Sequence, residues 1–141
     1  MNAVEHRLSQ AVKDILTTYK PAEVPENFGI RAAHDTAKVE KPYIVASAEN
    51  GETVHPLMRK MNLVLTSHLR VGEGETAPDT ETHQRFVNVI EYRVEELAVA
   101  LAAVDLRLRK IVAGATGEEI ENGRATASST VWTVWLQILD S

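Results

Sequence analysis

The residues Val131-Trp132-Thr133-Val134-Trp135-Leu136-Gln137-Ile138-Leu139 decide the fold of this chain. Their alternation is typical of a β-strand, in which successive side chains point to opposite faces of the sheet. One face is wholly apolar and is predicted to be core. It consists of Trp132, Val134, Leu136 and Ile138. The opposite face is mixed and includes Trp135, for which we predict contact with a partner subunit, because tryptophan is enriched where subunits meet.

Length and composition limit the classes of protein to consider. A chain of 141 residues predicts one compact domain, residues 1–141. Lys and Arg number 15 against 20 Asp and Glu, so the net charge is −5, and no basic stripe suggests binding to a nucleic acid duplex. The chain has no cysteine, which excludes disulfides, thiolate metal sites and cysteine nucleophiles. No apolar run approaches the roughly 20 residues of a membrane span, and no signal peptide is recognisable, so we expect cytosolic synthesis without a membrane.

Regular spacing predicts a helix and two strands in the first half of the chain. Apolar residues recur every three or four positions from Val4 to Tyr19, and Pro21 ends this helix. Residues 42–49 read as a strand that begins at a proline, followed by a turn at Asn50-Gly51.

The longest alternating run is Met61–Val71, which predicts a half-buried strand antiparallel to the previous one. Only Val64 and Ser67 interrupt its pattern.

The second half predicts one long helix and then strands. Residues 72–79 are polar and form a loop, and an apolar stripe then runs from Phe86 to Val104. Residues 106–112 alternate, which favours a strand over an extension of the helix. Residues 113–130 are rich in glycine, small and acidic residues and predict a mobile loop. The fold class is therefore α+β, a mostly antiparallel sheet with two helices packed on one face.

No set of residues predicts catalysis or metal binding. The five histidines lack the HExxH or close spacing that places two imidazoles on one ion. Glutamate 73 lies between Gly72 and Gly74 and would repel phosphate, so this segment is a connection rather than a phosphate loop. Glu118, Glu119 and Glu121 read as a solvated acidic loop. We predict no catalytic residues, no cofactor and no metal.

Charge patterning predicts an interface between copies of the chain. Arg107, Arg109 and Lys110 form a basic cluster, and Glu95 and Glu96 lie on the acidic face of the preceding helix. Salt bridges between the basic cluster of one copy and the acidic patch of the next would join copies, with Trp135 contributing apolar contact.

In this order the residues resemble the tail terminator (tail completion) proteins of long-tailed bacteriophages. The resemblance covers nearly the whole chain and rests on element order and pattern rather than on an invariant motif. It is carried by the amphipathic N-terminal helix, Pro42-Tyr43-Ile44-Val45, Met61–Val71, the Phe86–Leu101 helix, and Trp132-Thr133-Val134-Trp135-Leu136.

The resemblance implies a structural virion protein, made in the host cytoplasm, that forms a ring, commonly a hexamer. Such a ring caps the head-proximal end of the tail tube, halts polymerisation of the tube protein and presents a surface to the head connector or stopper protein. DNA would pass through without specific binding, which suits the acidic charge balance. We expect Glu73, Glu75 and Asp79 near an inter-subunit or luminal edge.

Three alternatives remain open at this stage. The nearest is another neck component, such as a head-completion or connector protein. A second is a small metal-dependent hydrolase that uses Asp105 with Glu118 or Glu119, and a third is a dimer that binds a small molecule between helices and sheet. An enzyme should show an ordered carboxylate cluster in a pocket, whereas a ring protein should show flat, complementary flanks.

Overall fold

The protein consists of a five-stranded sheet and three helices in the computed structural model, which describes residues 3–36, 42–68, 80–121 and 124–139. The elements in chain order are α1 (Val4–Thr18), β1 (Gly29–Ala32), β2 (Tyr43–His55), β3 (Met58–His68), α2 (Thr80–Tyr92), α3 (Val94–Ala102), β4 (Leu106–Glu121) and β5 (Arg124–Ile138).

The strands lie in the order β1-β2-β3-β5-β4. The β2–β3, β3–β5 and β4–β5 pairs are antiparallel, and only β1 runs parallel to its neighbour β2. The prediction of a mostly antiparallel sheet is therefore confirmed. The last strand of the chain, β5, lies between β3 and β4, and it pairs with β3 from Ala127 to Gln137.

The core lies between one face of the sheet and the three helices. Trp132, Val134 and Leu136 are at most 2% exposed, which confirms that this face of β5 is core, and Ile138 packs against them. The same cluster contains the apolar stripe of α1 and the inward residues of β2 and β3. Burial of apolar surface stabilises a fold by about 25 cal/mol per Å², so this face of β5 contributes to stability through its burial.

The prediction of two helices agrees only roughly with the structure, because the second, long helix is broken at Arg93 into α2 and α3. Helix α2 ends at Tyr92 and α3 begins at Val94. Arg93 leaves helical geometry with φ −114° and ψ 31°. Its guanidinium lies 4.3 Å from the centroid of the Tyr19 ring, just after α1, and 3.2 Å from the Glu96 carboxylate in α3. The apolar stripe continues from α2 into α3, so the sequence pattern gives no sign of the break between them.

The prediction of a mobile loop over residues 113–130 is wrong. Residues 113–121 and 124–130 form the distal arms of β4 and β5, with Ala113 opposite Trp132 and Glu118 opposite Ser128. Small residues such as Gly114 and Gly117 supply no apolar alternation, so the pattern that reveals strands is missing here. The backbone pairing with β5 orders the segment instead.

The turn predicted at Asn50-Gly51 is a bulge within β2. Glu49 pairs with Asn62 and Glu52 with Lys60, so β2 carries one residue more than β3 at this point. Strand β2 continues to His55, and the chain reverses at residues 56–57. A dipeptide that favours turns also suits the irregular backbone of a bulge.

Strand character at residues 106–112 and the helix ahead of Pro21 are confirmed. Residues 29–32 add the short strand β1, with Phe28 buried just before it. Glu73, Glu75 and Asp79 lie outside the described residues.

Candidate functional site

Among the described residues, no helix packs against one face of the sheet, and we call this the open face. Its side chains alternate with the core residues of each strand, and most of them are partly or fully exposed. They include Arg31, Tyr43, Val45, Lys60, Asn62, Val64, Thr66, Arg107, Lys110, Val112, Val131, Thr133, Trp135 and Gln137. The open face thus combines β-branched residues, two aromatic rings and several cations, a composition suited to contact with another macromolecule.

Trp135 lies between two lysines on the open face. The register places Lys60 of β3 on one side of Trp135 and Lys110 of β4 on the other. The Nζ atoms lie 5.6 Å and 5.1 Å from the ring centroid, within cation–π range. Sequence reasoning singled out Trp135 and Lys110, and the structure brings them together. Lys60 was missed, because only the pairing of β3 with β5 reveals it.

The other predicted basic residues lie along the same strand. Arg107 is exposed on the open face, where its register partner is Gln137. Arg109 is the extra residue of a bulge, because Leu108 pairs with Leu136 and Lys110 with Trp135.

The predicted acidic residues lie on the opposite side of the molecule. Glu95 and Glu96 border a cleft of about 450 Å³ between α1 and α3, which we call the α1–α3 groove. Its lining consists of Asp14, Ile15, Thr18, Tyr19, Glu95, Glu96, Val99 and Ala100. Val99 is 71% exposed, so the groove offers apolar surface to solvent, and its lining also includes three carboxylates. Within one copy, the helices and the sheet separate these carboxylates from the basic residues of the open face.

A buried polar network joins α2 to the sheet. The Ser67 hydroxyl lies 2.6 Å from His83 Nδ1, and His83 Nε2 lies 2.9 Å from the Thr130 hydroxyl. Thr130 is in turn 2.8 Å from the hydroxyl of Thr116 on β4. A neutral imidazole has one donor and one acceptor nitrogen, so it satisfies both hydroxyls at once.

A serine hydroxyl bonded to a histidine is also the arrangement of a catalytic nucleophile and its base, but here the pair is not accessible to a substrate. Ser67 is fully buried and His83 is 2% exposed, so no substrate reaches them in this conformation. Burial lowers the pKa of His83 to about 4, which makes it a weak base at neutral pH. The network therefore serves to hold α2 against β3 and β5. Ser67 interrupts the apolar alternation of its strand, and this interruption was the sequence signal for it.

Two histidines distant in sequence also come together. The rings of His6 and His34 stack with centroids 3.5 Å apart and an interplanar angle of 19°. Lone pairs of imidazole nitrogens lie in the ring plane, so stacked rings do not direct them at one ion. Among the described residues, no group of three or more His, Asp or Glu side chains is placed to hold a metal.

The carboxylates of the hydrolase alternative are not brought together. Asp105 immediately precedes β4, whereas Glu118 and Glu119 lie near its far end. At about 3.3 Å per residue, the strand separates the two positions by roughly 40 Å. Asp105 has a φ of 60°, a left-handed conformation that turns the chain from α3 into β4.

Comparison with known proteins assigns no family. In the described residues, no helix is both long and apolar enough to cross a bilayer. A scan against models of known protein families gave no match. A search of curated protein sequences likewise gave no match, so the case for function depends on the geometry of this chain.

Proposed function

We propose that this protein is a structural virion protein of a long-tailed bacteriophage. It forms a ring, commonly a hexamer, that caps the head-proximal end of the tail tube and joins it to the head connector. Its role is to present surfaces to other subunits rather than to make or break bonds.

The observation that carries the proposal is the open face of the sheet. A five-stranded face with Trp135, Tyr43 and several valines accessible to solvent is what an assembly subunit needs for contact with its neighbours. The α1–α3 groove supplies a second, chemically different surface on the helix side. Two unlike surfaces on opposite sides of a subunit suit heterologous contacts, the kind that close into rings.

The charge balance is consistent with a DNA conduit. The chain carries a net charge of −5, and a negative wall would not retain passing DNA by its phosphates. Glu73, Glu75 and Asp79 remain predicted luminal or inter-subunit residues.

The test is a tube-capping assay with the tail tube protein of the same phage. Purified protein added during tube polymerisation should shorten the tubes and appear as extra density at one end in negative-stain electron micrographs. Tubes of unchanged length with bare ends would contradict the proposal. Binding to the head connector with no effect on tube length would instead support the alternative of another neck component.

A further inference from the structure

We propose that copies of this chain join head to tail, with the open face of one copy docked on the α1–α3 groove of the next. Trp135 enters the groove, and Lys60 and Lys110 meet its carboxylates. This inference rests on the proposed function, because it names the surfaces by which the subunits of the ring contact one another.

The apolar parts of the two surfaces match. The apolar lining of the groove consists of Ile15, Val99 and Ala100, together with Tyr19. A volume of about 450 Å³ is large enough to receive an indole ring. Tryptophan is the residue type most often found as the central anchor of an interface, where it fills a pocket on the partner.

The charges also match, and they surround the apolar contact on both sides. Two lysines flank Trp135 on the open face, and three carboxylates, Asp14, Glu95 and Glu96, border the groove. Two of these carboxylates already have a partner on their own copy. Asp14 accepts a hydrogen bond from Gln10 Nε2 at 2.9 Å, and Glu96 lies 3.2 Å from the Arg93 guanidinium. Glu95 has no ion-pair partner among the described residues, so it is the strongest single candidate for a lysine of the neighbouring copy.

The same charges disfavour symmetric pairing. Two open faces would bring lysines against lysines, and two grooves would bring carboxylates against carboxylates, an arrangement that costs several kcal/mol. Only the contact between an open face and an α1–α3 groove brings opposite charges together. Because the two surfaces lie on opposite sides of a copy, each bound copy still has one surface free, and the contact repeats until a ring closes.

Charge reversal tests this arrangement directly. The face variant carries Lys60→Glu and Lys110→Glu, and the groove variant carries Glu95→Lys and Glu96→Lys. Each variant alone opposes like charges and should weaken self-association by at least about tenfold in sedimentation velocity. An equimolar mixture should recover the oligomer, because each reversed surface then finds an opposite charge on the other variant. Recovery also shows that both variants are folded.

A matched control changes charge elsewhere. Glu23→Lys with Glu26→Lys alters two exposed carboxylates between α1 and β1, outside both surfaces, and should leave self-association unchanged. An oligomer that resists both the face and the groove variants would overturn this inference while leaving the ring itself intact.

Disulfide trapping gives a second readout, because the chain has no cysteine of its own. Copies carrying Trp135→Cys and copies carrying Val99→Cys, mixed and oxidised, should give a covalent dimer. Copies carrying Tyr92→Cys, an 81% exposed position outside the groove, should not trap with Trp135→Cys. Absence of the Trp135–Val99 dimer both in solution and on tail tubes would overturn the inference. The tube-capping assay then decides the proposed function separately.

Discussion

The hydroxyl of Ser67 and the imidazole of His83 are joined by a hydrogen bond of 2.6 Å in the interior of the protein. Ser67 is the second-last residue of β3, and His83 lies in the first turn of α2. Because the second nitrogen of the ring bonds Thr130, this one side chain ties α2 to two strands. The packing of α2 therefore depends on a polar contact as well as on its apolar stripe.

Replacing His83 tests that dependence. We expect His83→Ala to lower the free energy of unfolding by about 2–3 kcal/mol, because two buried hydroxyls lose their partner and a void remains. Chemical denaturation followed by circular dichroism measures the change. The control is His55→Ala at an exposed position of β2, which should change stability by no more than about 0.5 kcal/mol. Equal effects at the two positions would contradict the role assigned to His83.

Stability should fall in mild acid. Burial lowers the pKa of His83 to about 4 from its ordinary value of 6.5, so the unfolded chain binds a proton more readily than the folded one. The stabilisation is complete above pH 6.5 and is lost as the pH falls towards 4, a change of about 3 kcal/mol. Denaturation midpoints between pH 7 and 4 measure it.

The pH effect can be assigned to its source. His83→Gln removes the titrating group, and most of the dependence between pH 6.5 and 4 should disappear. A smaller slope should remain, because burial and the adjacent His6 also lower the pKa of His34. An unchanged slope in His83→Gln would show that other groups cause the acid sensitivity.

Two glycines of β4 should respond differently to alanine. A Cβ atom at Gly114 would lie 2.5 Å from the carbonyl oxygen of Val131 on β5, a backbone atom that does not move without loss of pairing. We expect Gly114→Ala to destabilise the protein by about 1–3 kcal/mol. At Gly117 a Cβ atom meets nothing within 4 Å, so Gly117→Ala is the matched control and should be neutral or slightly stabilising. Thermal unfolding separates the two outcomes, and equal melting temperatures would contradict the close approach.

Arg7 should contribute more to stability than an arginine at the surface. Its side chain is 8% exposed, and Nη1 donates a 2.9 Å hydrogen bond to the Val104 carbonyl oxygen just after α3. Arg7→Ala should cost about 2–4 kcal/mol through loss of the charged hydrogen bond and of the packed aliphatic stem. Arg85→Ala removes a guanidinium 3.7 Å from a largely exposed Glu81 and should cost less than about 1 kcal/mol. Urea denaturation compares the two variants, and similar costs would argue against an anchoring role for Arg7.

Elements with strong alternation or helical spacing were predictable from the sequence. In β5, tryptophan, valine and leucine alternate with less apolar residues, and burial follows that pattern residue by residue. Helix α1 behaves in the same way, because its apolar spacing and Pro21 fix both the element and its end.

The rest of the fold depends on tertiary contacts that the local sequence does not encode. The break at Arg93 preserves the apolar stripe and follows from contacts with Tyr19 and Glu96. The distal hairpin arms contain too many small residues to show a period. A turn dipeptide such as Asn50-Gly51 also fits a bulge, and only the register with β3 distinguishes the two.

The candidate interaction residues were predictable one at a time but not as two surfaces. Trp135 and Lys110 stood out by residue type, and the structure places them in contact. The groove that Glu95 and Glu96 border exists only where α1 meets α3, and its apolar member Val99 carries no signal in the sequence. Whether these surfaces join copies stays a prediction.

The irregular course of β4 bears on how copies avoid the wrong contact. Among the described strands, β4 is an outermost one, and only β5 pairs with it. Its outward amides and carbonyls are a template on which a foreign strand could add. Strand β4 has one extra residue at Arg109 and another next to Gly114. These bulges shift the hydrogen-bond register of its edge, so a straight strand cannot pair along its whole length. The irregular edge would thus hinder copies at high concentration from pairing strand to strand into fibrils.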